Sequence, residues 1–334
     1  MITAAASLGI IAVLVAWPVP LILAASAWPS QSPGLALVLW QAIALSGGLS
    51  MIGSLLVYGL IPFGETLVQS LSSLGANLRA GTLPPGTSFT HVLALGGAII
   101  LSTHLLLNLS STFVRAERER RRHYTLIALL SDPLRGQPGM RVIDYPAPVA
   151  YCLPGPGRSA TVLSNGLIRL LDDDQVRAVI SHEQAHLTQR HHLVLLAFKS
   201  WHSALPWFPI ANRAENAVAL LVEMLADDHA RRVVDDHTLA RAIALVGYAL
   251  AGVTAPRNTE ADAAANAATS ASAGRLPASP GRIRAEPDHP AHQILPRVSR
   301  LMNPRAPLGY PATASVLTMS TLLLAGPALI LFAT

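Results

Sequence analysis

Residues 179 to 192 read VISHEQAHLTQRHH, and within them His182, Glu183 and His186 form the pattern His-Glu-x-x-His. Residues four apart on a helix project from one face. Two imidazoles at that spacing can hold one zinc ion. Glu183 lies beside them, where a carboxylate can take a proton from an attacking water and return it to a leaving amine. Zinc is a Lewis acid that brings the pKa of water to about 7, so the chemistry on offer at neutral pH is hydrolysis. The pattern packs two ligands and a general base into five residues.

A catalytic zinc takes three protein ligands and keeps one position open. Glu223 is the candidate third ligand, in the stretch EMLADDHARR on a second helix expected over about Asn212 to Val234. Asp227 is four residues on and shares its face, where it can accept the second N–H of a ligating imidazole. Asp228 is a rival that points more than a quarter-turn away. His191 and His192 would serve as ligands only if the first helix bent, so they read as polar or supporting groups. The bland alternative for Glu223 and Asp227 is a solvated acidic face.

The elements that must position these residues lie in an unusually apolar chain. Of the 334 residues, 51% are hydrophobic and 13% charged. Soluble domains carry roughly twice that charge. All but one of the 24 basic residues are arginine, and only Arg79 precedes Arg115. Residues 2–27, 35–62, 89–113 and 313–332 are uncharged runs near the 20 residues needed to span a bilayer, so about four transmembrane helices are expected. Pro18 and Pro20 should kink the first. Residues 63–88, rich in Ser, Gly and Pro, read as an extracytoplasmic loop. The stretch RAERERRRHY, from Arg115, follows the third span directly. Cytoplasmic flanks carry the excess of Lys and Arg. Counting back from there puts the N-terminus outside and the domain after Arg115 in the cytoplasm. A pI near 9.9 could also suggest a nucleic-acid partner, but no aromatic-basic motif accompanies the charge, and none is expected. Arginine over lysine, with abundant alanine, gives the chain a bacterial cast.

Residues 115–255 have mixed α/β character. VAYCLPG and SATVLS are short β-like runs around a Pro-Gly-Pro-Gly turn. Asp172 and Gln175 form a capping-box pattern at the start of the active helix. Val176, Val179, Ile180 and Leu187 supply that helix with an apolar side. Cys152 is the single cysteine, so neither an intrachain disulfide nor a Cys-based zinc site can form. Residues 193–211, with Trp201 and Trp207, read equally as a segment dipping into the inner membrane face or as a core helix. Residues 256–292 read as a flexible linker and 293–311 as a juxtamembrane segment. His91 is expected at an interface and His104 facing the helical bundle.

At HEQAHLTQRHH, ALPWFP and EMLADDHA the sequence resembles the BlaR/MecR-type membrane metallopeptidases. SNGLIRLL and HPAHQILPRVSRL extend a more distant resemblance to the HtpX and CaaX-prenyl-protease group. The resemblance implies an α-helical membrane protein with a small α+β zincin-like (gluzincin) metallopeptidase domain in a bacterial cell membrane. It implies His182, His186 and Glu223 as zinc ligands, Glu183 as catalytic base and Asp227 as the orienting carboxylate. It also implies that the strand Ala160, Thr161, Val162 and Leu163 pairs with the substrate backbone. Two features depart from the pattern. Pro209 follows Phe208 without the usual intervening Asn. No counterpart of the receptors' penicillin-binding sensor or of a Ser-x-x-Lys motif occurs in the sequence, so a regulatory role would need another input, such as a sensor partner or the short outer loops.

The implied activity is a zinc metalloendopeptidase cutting a protein substrate, a cytoplasmic transcriptional repressor in a signal-response pathway. One alternative is an HtpX-like quality-control protease acting on membrane proteins. A second is a non-catalytic, zinc-stabilised signalling protein. His229, His289, His292 and Arg297 are unranked candidates for oxyanion stabilisation.

Overall fold

The structure is a computed structural model that describes residues 1–134, 139–153, 160–205, 209–254 and 289–333. Its helices are α1 (Ile2–Ala16), α2 (Pro18–Ala25), α3 (Pro33–Leu60), α4 (Leu67–Ala80), α5 (Phe89–Leu130), α6 (Asn165–Leu170), α7 (Asp173–Thr188), α8 (His191–Ala204), α9 (Pro209–Ala230), α10 (Asp236–Thr254), α11 (His289–Met302) and α12 (Tyr310–Phe332). Its strands are β1 (Asp132–Pro133), β2 (Met140–Ile143), β3 (Ala150–Leu153) and β4 (Ala160–Ser164). The chain divides into two compact units, one of residues 1–113, 193–222 and 306–334, the other of residues 114–192 and 223–305.

The first unit is helical. Among the described residues, Ile2–Ala25, Pro33–Phe63, Phe89–Ile127 and Tyr310–Phe332 are long and apolar enough to cross a membrane, which suggests a membrane protein. The first of these breaks at Trp17, whose φ of −128° and ψ of −74° interrupt the helix ahead of Pro18, because proline cannot donate the next helical bond. Gly59 lets α3 and α5 touch. A Cβ there would lie 2.5 Å from the Leu95 side chain and 2.9 Å from the His91 carbonyl. Part of the expected loop over 63–88 is the helix α4. Thr66 caps it by accepting from the Gln69 N–H at 3.3 Å, and Gly81 ends it in the left-handed region at φ 66°. Leu67, Leu71, Leu74 and Leu78 have helical spacing, which the intervening Ser and Gly residues obscured.

Most of α8 belongs to this unit. Trp201 packs on Gly48 of α3 so closely that a Cβ added at Gly48 would meet its ring at 3.0 Å. Asn108 on α5 donates to the Ser200 carbonyl at 2.6 Å and to Ser203 Oγ at 2.9 Å. His104, one turn earlier on α5, meets the Ala204 carbonyl at 3.1 Å. Of these acceptors, the Ala204 carbonyl is among the last four of α8, which have no i+4 donor within the helix.

The second unit combines a four-stranded sheet, in the order β1-β2-β4-β3, with helices α6, α7, α10 and α11. β4 runs parallel to β2 and antiparallel to β3, and all five of its residues are buried. Leu163, Leu167 and Leu171 pack with Val176, Val179 and Ile180 of α7. The Asp172–Gln175 capping box is present, with Gln175 N–H to Asp172 Oδ1 at 2.9 Å and Asp172 N–H to Gln175 Oε1 at 3.2 Å. Such a cap stabilises a helix by about 1 kcal/mol.

Two sequence expectations bear on this unit. The stretch 293–311, expected as a juxtamembrane segment, begins within the helix α11 and packs inside the second unit. Leu301 of α11 is buried with Ala178, Ala230, Leu239 and Ala240, and Val298 packs against the same cluster. Positions 294, 298 and 301 recur at helical spacing, so α11 buries an apolar side within the second unit. Second, β4 cannot receive a substrate strand, because both of its edges already pair within the sheet. Of the expected linker 256–292, residues 256–288 lie outside the described residues.

Gly166 joins β4 to this core. A Cβ at Gly166 would lie 2.0 Å from the Pro146 carbonyl oxygen, a backbone atom that cannot rotate aside. Gly166→Ala is expected to lower stability by roughly 1–3 kcal/mol, read as a lower thermal midpoint of the purified chain. Gly75→Ala is the control, since nothing lies within 4 Å of a Cβ there. Equal midpoints for both variants would contradict the packing of α6 against residues 145–147.

Candidate metal centre

Helix α7 carries His182, Glu183 and His186, and α9 carries Glu223 and Asp227. The Nε2 atoms of His182 and His186 lie 3.2 Å apart. His182 Nε2 is 3.3 Å from Glu223 Oε2, and His186 Nε2 is 3.5 Å from Glu223 Oε1. Ligands about 2.0–2.1 Å from a tetrahedral zinc stand about 3.3–3.4 Å from one another. The two imidazole nitrogens stand at about that separation, and each lies near a different oxygen of the Glu223 carboxylate, so the two rings and the carboxylate converge on one point. His182, His186 and Glu223 are the group of described residues whose donor atoms converge in this way.

Asp227 lies behind His182, its Oδ1 3.0 Å from Nδ1. The contact is short but bent, and the ring N–H does not point squarely at the oxygen. Arg297 of α11 completes the cluster. It donates through Nε and Nη2 to both oxygens of Asp227, at 2.8 and 2.7 Å, and through Nη1 to Glu223 Oε2 at 2.8 Å. One turn on, Arg300 holds both oxygens of Asp228 at 2.8 Å. Asp228 thus ties α9 to α11 and stands outside the converging donors. Of the candidates for oxyanion stabilisation whose side chains are described, Arg297 and His229, Arg297 is bonded to this cluster. The side chains of His289 and His292 lie outside the described residues.

His191 is buried against the back of His186, with the two Nδ1 atoms 3.0 Å apart. Glu183 is half-buried, and its carboxylate accepts a bond from the backbone N–H of Cys152 on β3. β3 is one of the two edge strands of the sheet. Thr161 turns its N–H toward Gly139 and so toward β2. Cys152 stands opposite Thr161, so its own peptide groups face away from β4. Among the described strands none pairs with that outer edge.

These environments move the protonation equilibria of the cluster. Burial pushes the Glu183 carboxyl up to about 7, a rise that His182 and Arg297 oppose. Burial also acts on Glu223, but Arg297 and His182 outweigh it and hold that carboxyl well below the ordinary range. Burial would lower His182, yet Asp227 and Glu223 raise it to about 9. Burial lowers His186 to about 4 and His191 to about 4. Burial likewise pushes the Cys152 thiol up to about 12.

Residues 114–279 match the model of peptidase family M48. The M48 match spans just under half of the chain's 334 residues. It contains His182, Glu183, His186, Glu223 and Asp227, and it ends before α11. With the four apolar helices, it supports a membrane metallopeptidase of the M48 family. M48 members are proteases, so the match implies a hydrolase acting on protein. No curated protein and no solved structure matches the chain.

The histidine shifts give the metal-free protein a stability optimum. His186 and His191 bind protons more weakly folded than unfolded, so stability falls as pH drops from about 6.5 toward about 4. His182 binds its proton more tightly when folded. Its contribution is complete below about 6.5 and is lost as pH rises through about 9. Thermal unfolding of the chelator-treated protein should therefore be hardest near pH 6.5. A midpoint that kept rising from pH 6.5 to 9 would contradict the pairing of His182 with the two carboxylates.

Proposed function

We propose that this chain is an integral membrane zinc endopeptidase of bacterial cells that cuts a protein substrate. The observation that carries the reading is the convergence of the His182, His186 and Glu223 donor atoms, with Glu183 next to His182 in sequence. His182, His186 and Glu223 would hold the zinc. When bound, zinc supplies Lewis-acid polarisation and lowers the pKa of water. Glu183 is the general base. Its carboxyl near 7 can both take a proton at neutral pH and give it up again. Asp227 orients the His182 ring through Nδ1. Arg297 keeps two buried carboxylates ionised.

The free edge of β3 is the better candidate for holding the substrate backbone. Ala150 and Cys152 direct their peptide groups outward there, and an extended chain can add to such an edge. Glu183 already reaches the Cys152 N–H. A substrate strand laid on that edge runs past the carboxylate that must handle its proton.

In this reading the arginine run after Arg115 puts the catalytic domain in the cytoplasm and the N-terminus outside. Residues 193–205, the described part of the 193–211 segment before its first gap, dip into the bilayer. Support comes from Trp201 against the middle of α3 and from Asn108, about 10 Å along α5 from Arg115 at 1.5 Å per residue. By resemblance to the BlaR/MecR-type peptidases, the substrate is a cytoplasmic transcriptional repressor, cut in response to a signal from a separate partner.

Glu183→Gln should retain stoichiometric zinc and lose cleavage by a factor of about 10²–10⁴. Proteomics of cells carrying that variant should show one cytoplasmic repressor accumulating. Many accumulating membrane proteins would instead indicate quality control, and unchanged function would indicate a non-catalytic role. Ser203 is exposed on the protein surface. Ser203→Cys should nevertheless resist a membrane-impermeant maleimide in inside-out vesicles, whereas Gln189→Cys should react. Equal labelling of the two would place α8 outside the bilayer.

A further inference from the structure

We infer that His191 is a positioning residue for His186, the second step of a hydrogen-bonded chain that fixes how the His186 ring faces the metal. The inference rests on the zinc reading of the site and names a part of it outside the ligand set. A continuous helix would carry residue 191 five positions past His186, about 140° around the axis. The backbone prevents this. α7 ends at Thr188, and Arg190 takes the left-handed conformation at φ 52°, which costs a non-glycine residue about 1–2 kcal/mol. α8 then starts at His191. The turn folds the His191 side chain back against α7, where the residue is 2% exposed.

The two rings meet edge-on, with centroids 4.9 Å apart and planes at 85°. The contact joins Nδ1 to Nδ1 at 3.0 Å, and His191 Nε2 lies 3.0 Å from Gln189 Oε1. A neutral imidazole has one donor and one acceptor nitrogen. His186 presents Nε2 to the converging donors, so a metal there needs that lone pair, and the proton must sit on Nδ1. Nδ1–H then donates to His191 Nδ1. The His191 proton is left on Nε2, where it donates to the Gln189 amide oxygen. One arrangement of protons satisfies all the contacts, and it is the one in which His186 can ligate.

The choice of a neutral acceptor has a physical reason. Asp227 already serves His182, and Arg297 is shared between Asp227 and Glu223. A carboxylate behind His186 would add a further negative charge to the cluster. An imidazole orients the ring without adding charge. His191 also meets His186 on the ring nitrogen facing away from the other donors, so it does not compete for the metal.

The test is zinc affinity by chelator competition on the purified full chain in detergent, a readout independent of turnover. His191→Ala should weaken zinc binding about 10–100-fold, the usual effect of losing such a partner. His191→Asn, whose amide oxygen can accept from Nδ1–H, should recover most of the loss, and the neighbouring His192→Ala should bind as wild type. Gln189→Ala, at an exposed position that does not threaten folding, should show a smaller loss in the same direction. Wild-type affinity in both His191→Ala and Gln189→Ala, or no recovery in His191→Asn, would overturn the inference alone. A wild-type chain that binds no zinc would overturn the metallopeptidase reading together with it.

Discussion

Charge neutrality in a buried volume is the constraint on which this site depends. Glu223 and Asp227 bring two negative charges between α7, α9 and α11. Arg297 answers one of them, and the proton that these carboxylates hold on His182 answers the other. An unpaired buried charge costs several kcal/mol, so the cluster must keep this balance in every state it occupies. A divalent cation held by His182, His186 and Glu223 would take the place of the His182 proton, and its charge would favour ionised Glu183. Two protons would leave as two positive charges entered. Ionisation of Glu183, the proposed general base, would then be coupled to occupancy of the site.

The parts of this arrangement that follow local rules could be read from the sequence. His182, Glu183, His186 and the Asp172–Gln175 cap all lie on α7, where periodicity alone sets their directions. Glu223 and Asp227 share a face for the same reason. The four apolar stretches were legible because a bilayer demands length and lack of charge. α4 was hidden because its leucines are diluted by serine and glycine, so composition suggested a loop while spacing specified a helix.

What could not be read is non-local. The pairing of Arg297 with Asp227 joins residues 70 positions apart, and no spacing rule reaches that far. Arg297 and Arg300, one turn apart, facing the adjacent pair Asp227 and Asp228, were the available hint. Strand order is likewise a property of the whole sheet. Resemblance pointed to β4 as the substrate strand, but β3 folds outside it and takes the free edge. His191 was set aside because a straight helix would turn it away. The left-handed residue that reverses this is an arginine, which carries none of the signal that a glycine would.

The order of the chain has a consequence for taking this protein apart. The second unit is not one stretch of sequence. The backbone leaves it at His192, passes through the first unit and returns at Glu223. No two cuts release the site intact. A fragment from 114 to 305 would keep residues 193–222 without the helices that receive Trp201 and cap the end of α8. Its interior would then present apolar side chains and unpaired carbonyls to water. His182, His186 and Glu223 therefore cannot be excised as one continuous segment without also carrying residues 193–222 of the first unit.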